Sequence, residues 1–362
     1  MVNISKINSK NSNNISSIQD YVSIIQELLN LKNKNKLIKY TKDIHNADIA
    51  DIIHNLNEDN RSQFVDIIKD TFDPEILTYL NESLKEEIIE KLDFRTLASN
   101  VSELDIDDAV DVVEDLEESE QEVFLSYISA SDRKLIKEGL NYPEDSAGRL
   151  MQRNFVSFSS NSTVGQAIDA LRSNISLPED FYDVYLVNEN NIVNGIVPLG
   201  KLMGSKREVL LKKIMNKMTR VVEVLTDQEE VAYMFSKYGL VSAPVVDENK
   251  KLIGSITVDD VVNVIEEERE EDILKLGGVA QTDLYSAVIN TTRLRFSWLF
   301  VNLLTAIIAS IVIGFFQASI EKVVALAILM PIVASMGGNA GTQTLTVSVR
   351  ALATKELTPT NA

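Results

Sequence analysis

Residues 102–122, SELDIDDAVDVVEDLEESEQE, hold eleven carboxylates (Glu103, Asp105, Asp107, Asp108, Asp111, Glu114, Asp115, Glu117, Glu118, Glu120 and Glu122) and no basic residue, so nothing local in the sequence neutralises them. A second acidic run sets Asp259, Asp260, Glu266, Glu267, Glu268, Glu270, Glu271 and Asp272 against a single Arg269. At helical spacing, residues 259, 266 and 270 share one face and 260, 267 and 271 the next, so the charges form stripes. Same-sign pairs four residues apart, such as Asp107 with Asp111, each cost about 0.2–0.5 kcal/mol. Two readings follow: solvated helix faces, or opposed acidic faces that repel until cations lie between them. The second needs a hard, oxygen-loving cation, because the chain has no cysteine and only two histidines, His45 and His54, in no metal-ligand pattern. Mg²⁺ keeps several of its waters and takes few carboxylates per site, so it can bridge such faces weakly and reversibly.

Another chemically unusual stretch lies at 331–350, PIVASMGGNAGTQTLTVSVR, directly after the apolar VVALAILM. Glycines in a membrane helix allow close helix approach, and Asn, Gln and Thr hydrogen-bond between helices. The alternative is that Pro331, Gly337, Gly338 and Gly341 loosen the helix where polar groups line a cavity or pore, with Gly337, Gly338, Asn339, Thr342 and Gln343 facing the ion.

The elements that must position these residues can be read from period and composition. The chain of 362 residues is long enough for two or three domains. Its net charge of -19 belongs to the first part, since from Arg293 onward the only acids are Glu321 and Glu356. So negative a surface repels nucleic acid and favours cations or basic protein faces as partners. Residues 1–17, polar and rich in Asn and Ser, are expected to be a disordered tail. From 18 to 142, units such as HNADIADIIHNL and DIDDAVDVVEDL place apolar residues three and four apart, with acid-capped starts such as FDPE, and predict an all-helical domain of solenoid type. IADIIHNL (49–56) and AVDVVEDL (109–116) share one pattern.

Between 143 and 265 the order strand, helix, strand, strand, helix occurs twice, about 143–207 and 208–265. Met151 aligns with Met218 and Val164 with Val231 at a shift of 67, and Val187 with Val246 and Gly195 with Gly254 at 59, the first copy carrying extra residues around ISLPEDF. A long helix is expected over 258–278, stopped by Gly277 and Gly278. FSWLFVNLLTAIIASIVIGFF (296–316) is uncharged for 21 residues, about 30 Å of helix, and Trp298 sits near its start as an interfacial anchor. After a short turn, QASIEK, a second span is expected from Val323 to Arg350. Arg293, Arg295, Arg350 and Lys355 flank the hairpin and place its ends, with the acidic region, in the cytoplasm. No GxxxxGK[ST] loop and no nucleophile with a matched base supports an enzyme.

The repeat, ending in VVDENKKLIGSITVDDVV, resembles a tandem pair of CBS motifs, modules that pack two by two, dimerise face to face and in many proteins bind adenine nucleotides. PIVASMGGNAGTQTLTVSVRALATKEL resembles the second transmembrane helix of the MgtE family of magnesium channels, and the order of the other segments agrees. The resemblance implies a multidomain fold: an all-α superhelical N-terminal domain (18–142), an α/β tandem CBS pair (143–265), a long linker or plug helix (258–278) and an α-helical membrane domain (293–362). It also implies a Mg²⁺-gated, homodimeric magnesium channel of the inner (plasma) membrane, pairing through its CBS and membrane domains, with Mg²⁺ both transported and regulatory and ATP a candidate ligand of the CBS pair. By motif, the regulatory ligands would be Asp107, Asp111, Asp227, Glu229, Asp260, Glu268, Glu271 and Asp272. Gly239 and Asn263 stand where relatives have acids. Family members carry five membrane helices and this chain shows two, so it is expected to be a truncated form. The rival readings are a CBS nucleotide sensor anchored by a two-helix hairpin, and a Co²⁺ or Mn²⁺ transporter.

Overall fold

The computed structural model describes residues 17–92, 97–98, 101, 104–114, 116, 118–173, 177–178, 181–217, 220–276, 288–353 and 355–357. The expected tail, Glu103, Asp115, Glu117, Met218, and the helix stop at Gly277 and Gly278 lie outside the described residues. The chain divides into two compact units after Ile265.

Short amphipathic helices build the start of the first unit: α1 (Ile18–Asn30), α2 (Lys34–Thr41), α3 (Asn46–Asn55), α4 (Glu58–Ile68), α5 (Glu75–Thr78), α6 (Glu82–Ile89), α7 (Ile106–Glu114), α8 (Glu118–Tyr127) and α9 (Ala130–Leu140). Their apolar faces meet in one core that includes Ile25, Leu37, Ile52, Phe64, Leu77, Ile88, Val113 and Phe124. The two matching sequence units are α3 and α7, which bury Ile49, Ala50, Ile52 and Ile53 in the one and Ala109, Val110, Val112 and Val113 in the other. Acids cap fewer of the starts than expected. Asp73 Oδ1 accepts from Glu75 N at FDPE, but Asn33, Asn57, Asn81 and Ser129 hold α2, α4, α6 and α9 through their side-chain oxygens. His45 has the same task at α3, accepting from Ala47 N through Nδ1, which accounts for one of the two histidines.

The internal repeat, which resembles a CBS pair, follows the short α10 (Ala147–Leu150). It comprises β1 (Ser157–Ser159), α11 (Val164–Ser173), β2 (Asp183–Val187), β3 (Val193–Pro198), α12 (Leu199–Met203) and α13 (Leu211–Ile214). Its second copy comprises β4 (Val222–Glu223), α14 (Gln228–Tyr238), β5 (Ser242–Val246), β6 (Leu252–Thr257) and α15 (Val258–Leu276). In each copy the first strand pairs parallel to the second and the second antiparallel to the third, and each sheet carries the same irregularity, at Leu186/Val187 and at Val245/Val246. The hairpins match in detail. Asn191 and Lys250 adopt positive φ of 61° and 62°. Asn188 Oδ1 accepts from Asn190 N and Ile192 N, and Asp247 Oδ1 accepts from Asn249 N and Lys251 N.

Gly195 and Gly254, equivalent in the repeat, are sites of close approach. A Cβ at Gly195 would lie 2.7 Å from the backbone oxygen of Asn216, and one at Gly254 would lie 2.6 Å from Met151 Sδ. A backbone carbonyl cannot move aside as a thioether can, so Gly195→Ala is expected to cost about 1–3 kcal/mol and Gly254→Ala less. Thermal melts of the two full-length variants compare them, and equal losses would contradict the assignment.

In the second unit α15 continues past Ile265, and the two apolar helices are α16 (Val288–Phe315) and α18 (Ala325–Ala353). Trp298–Phe315 and Ala325–Leu352 have mean hydropathy 2.3 and 1.3, and both are long and apolar enough to cross a membrane. One local expectation is corrected. QASIEK is not a turn but a short helix, α17 (Gln317–Lys322). Through the stretch from Pro331 to Gly341, α18 runs as one helix. In lipid every unmade backbone bond costs several kcal/mol, which outweighs the roughly 1 kcal/mol that each glycine costs a helix. Thr344 and Thr346 donate back to the carbonyls of Ala340 and Thr342 and so satisfy their own hydroxyls.

Candidate cation-sensing site

Within the first unit, the start of α7 and the start of α15 bring two acidic pairs together. Each pair occupies a first turn, Asp107 and Asp108 on α7 and Asp259 and Asp260 on α15, where the helix dipole favours negative charge. Val261 and Val264, both buried, seat the first turns of α15 on the core of the second CBS copy, while Ala109 and Val110 seat α7 in the helical core. The carboxylates are thus held by two rigid cores and not by loops.

The charges act on one another across this junction. Asp107 is pushed well above the usual carboxylate range, first by burial and then by the charges of Asp260, Asp108 and Asp105. Asp108 is pushed up to about 7 by burial and by Asp105, Asp111, Glu75 and Asp259. Asp260 is likewise pushed up to about 7 by burial and by Asp259 and Asp108, although the Thr257 hydroxyl donates to its Oδ2 at 2.8 Å. Gln152 Nε2 makes a longer contact, 3.5 Å, to the same oxygen. Asp107 Oδ1 is buried with no hydrogen-bond partner among the described residues. A buried carboxylate oxygen without a donor is costly, and a cation with its water shell is the kind of group that would satisfy it. Glu75, at the edge of the cluster, is fully engaged: Asn46 Nδ2 donates to Oε2 (2.7 Å) and Tyr79 OH to Oε1 (3.1 Å). Among the described residues no three acidic or imidazole side chains are close enough to hold one ion directly.

The structure separates the residues expected from sequence. It brings together Asp107 and Asp260, and adds Asp105, Asp108, Asp259 and Glu75. Asp259 stood in a recognised stripe, but no sequence pattern ties Glu75 to the others. Asp111 is paired with Lys85 (2.9 Å), Glu114 with Arg149 (2.5 Å) and Glu122 with Lys137 (2.8 Å), so the run, which has no local cation, draws its counter-charges from other helices. Asp227 is exposed and caps α14, accepting from Glu229 N at 2.9 Å; neither it nor Glu229 is among the principal charges acting on the cluster. Glu268, Glu271 and Asp272 lie beyond Ile265, in the second unit, where Glu271 pairs with Lys275. Gly239 closes α14 at φ +60°, so an acidic side chain there would be strained; Asn263 is an exposed position of α15. His54 bonds the Ala50 carbonyl of its own helix. On α18, Asn339, Thr342 and Gln343 share one helical face, and all three are exposed, as are Gly337 and Gly338.

The raised carboxyls give a pH dependence in metal-free solution. Asp108 and Asp260 ordinarily titrate near 4, so between about pH 4 and 7 the folded unit binds protons that the unfolded chain has released. Their contribution to stability is therefore greatest at the acidic end and is lost as pH rises through about 7. In EDTA the melting temperature of the full chain is expected to fall between about pH 5 and 7, and Mg²⁺ is expected to flatten that slope. A slope identical with and without Mg²⁺ would contradict this.

Comparison with known proteins bears on the whole arrangement. The MgtE intracellular N domain matches residues 44–145, and the CBS domain matches 147–207 and 211–267. The chain is 31% identical to the magnesium transporter MgtE of Thermus thermophilus over 339 residues, which is 92% of this chain and 75% of that one. It is 30% identical to the magnesium transporter MgtE of Bacillus subtilis over 314 residues, 86% of this chain and 69% of that one. Among solved structures, the cytosolic domain of the Mg²⁺ channel MgtE in complex with ATP superposes with a TM-score of 0.61 at 27% identity, covering 67% of this chain and 99% of that one.

Proposed function

The chain belongs to the MgtE family of magnesium transporters, and from that premise we propose that it is a Mg²⁺-gated magnesium channel subunit whose first unit senses cytosolic Mg²⁺ and closes the pore. The observation that carries this reading is the buried oxygen of Asp107, unpartnered among the described residues, in a cluster of like charges shared by the helical domain and the second CBS copy. Without a divalent cation the cluster pushes the two domains apart; with one, they are drawn together. α15 starts in the cluster at Asp259 and Asp260 and continues into the second unit, so a change at its first turn is carried along a continuous helix. The low-Mg²⁺ state is the open one, and the ligand acts by binding the closed state more tightly.

Transport itself needs no fuel. A negative-inside potential gives about 2.3 kcal/mol per charge per 100 mV, and about twice that for a divalent ion. Asn339, Thr342 and Gln343 are the polar face of α18 that would contact the hydrated ion, with Gly337 and Gly338 allowing close approach. The subunit works as a homodimer in the inner (plasma) membrane with its first unit in the cytoplasm. Oxygen ligands accept other hard ions, so Co²⁺ and Mn²⁺ belong in the test as competitors.

The relative solved with ATP supports nucleotide binding at the CBS pair. The cleft between the copies is lined by Phe155, Tyr182, Asp183 and Thr257, an arrangement of aromatic and carboxylate groups suited to a base and a ribose. Its cavity of about 10 Å³ has room for no more than a single water molecule, so the cleft must open to admit the nucleotide.

The reading is tested by chymotryptic cleavage of the full chain in detergent as Mg²⁺ is raised into the millimolar range, with K⁺ at equal ionic strength as control. Protection is expected with Mg²⁺ and not with K⁺. Cleavage indifferent to Mg²⁺ but slowed by ATP would favour a nucleotide-sensing membrane anchor instead.

A further inference from the structure

Lys85 is 7% exposed, on a helix whose neighbouring positions Leu84 and Ile88 are fully buried. A lysine so placed needs a counter-charge, and its Nζ donates to Asp111 Oδ2 at 2.9 Å. Asp111 lies one helical turn after Asp107, and its charge is among those that raise Asp108. Its side chain remains 52% exposed, so the pair stands at the rim of the acidic cluster, with the ammonium on the protein side and one carboxylate oxygen toward solvent.

We propose that Lys85 is a built-in cation that sets the Mg²⁺ threshold of this site: by pairing with Asp111 it withdraws that carboxylate from the ion and offsets part of the field that the ion would feel. The inference rests on the sensing role of the cluster. Lys85 acts through Asp111 and is a positioning residue. The pair is electrically neutral as a unit, so removing both charges together should leave the site's net charge as it is, while removing either one alone should shift it in opposite directions.

The test is the Mg²⁺ midpoint for chymotryptic protection of the full chain in detergent, a protease that does not cut at lysine. Lys85→Met is expected to lower the midpoint by about three- to tenfold and Asp111→Asn to raise it by a similar factor. Lys85→Arg, which keeps the charge, and the double variant Lys85→Met/Asp111→Asn are expected to remain within about twofold of the parent. The double variant removes one charge of each sign and so keeps the net charge of the site, which lets it decide the question even if a single variant folds poorly. A double variant as weak as Asp111→Asn would make Asp111 a ligand and overturn the proposal, as would a Lys85→Met midpoint equal to the parent's. A parent chain with no Mg²⁺-dependent protection would instead remove the sensing role on which the proposal rests.

Discussion

Asp107→Asn is expected to remove most of the difference in chymotryptic cleavage between EDTA and Mg²⁺, and to do so by slowing cleavage in EDTA. The parent residue is half-buried, its Oδ1 is buried with no hydrogen-bond partner among the described residues, and it faces the charges of Asp260, Asp108 and Asp105. Its desolvation and repulsion oppose closure in the absence of a cation. The amide is neutral and can donate to a neighbouring carboxylate, so the domains should approach without Mg²⁺, and Mg²⁺ should add little. A change of about 1.4 kcal/mol in this balance is a tenfold change in the open population. An ordinary destabilising substitution does the reverse, since it raises cleavage in every condition. The direction in EDTA therefore separates a charge effect from a folding defect, and faster cleavage of Asp107→Asn in EDTA would refute the argument.

The second large effect is expected at Tyr185, which holds the two CBS copies together. Its ring is buried on β2 and its hydroxyl is 3.0 Å from both Ser242 Oγ on β5 and Ser255 Oγ on β6. Ser242 donates its own proton to Asp183 Oδ2 (2.8 Å), so Tyr185 donates to Ser242 and accepts from Ser255. Burial pushes the Tyr185 phenol up to about 12, and the group stays neutral. Tyr185→Ala empties a site in the middle of the pair and is expected to cost about 3–5 kcal/mol, whereas Tyr185→Phe keeps the ring and should cost about 1–2 kcal/mol. Asp260 depends on this pair for its position. Cleavage of Tyr185→Ala should therefore be fast at every Mg²⁺ concentration, while Tyr185→Phe should keep the parent's Mg²⁺ midpoint. A thermal melt of each variant checks the ranking, and a mild Tyr185→Ala would show that the link between the copies lies elsewhere.

The elements legible in the sequence were those with a period or a repeat. The 59-residue shift that aligned Val187 with Val246 is the spacing between the starts of β2 and β5, because both hairpins are closed by the same local bonds of Asn188 and Asp247. The apolar stripes of α3 and α7 were visible for the same reason, since helical periodicity is a local property. The cluster was half legible. Asp107 and Asp260 could be picked from their motifs, but Lys85, Arg149 and Glu75 reach the acidic region across the fold, at separations that no local pattern records. Asp111 was picked from its motif alone, which does not record that its partner Lys85 lies on another helix. At Pro331 and the glycines of α18 the sequence left two readings open, close helix packing or a loosened backbone along a pore. Local propensity argued for a loosened backbone, while the cost of unsatisfied groups in lipid keeps the helix whole.

The central claim is that a divalent cation draws the helical domain onto the second CBS copy. The chain contains no cysteine, so spin labels can be placed without background at Glu58→Cys on α4 and Asn249→Cys on the second CBS hairpin, both exposed positions. The most direct measurement is the distance distribution between the two labels in the full chain, by double electron–electron resonance, in EDTA, in Mg²⁺ and in K⁺ of equal ionic strength. A broad distribution in EDTA and K⁺ that narrows to a single population in Mg²⁺ is the predicted result. One distribution common to all three conditions would contradict the account, leaving the acidic faces as solvated surface.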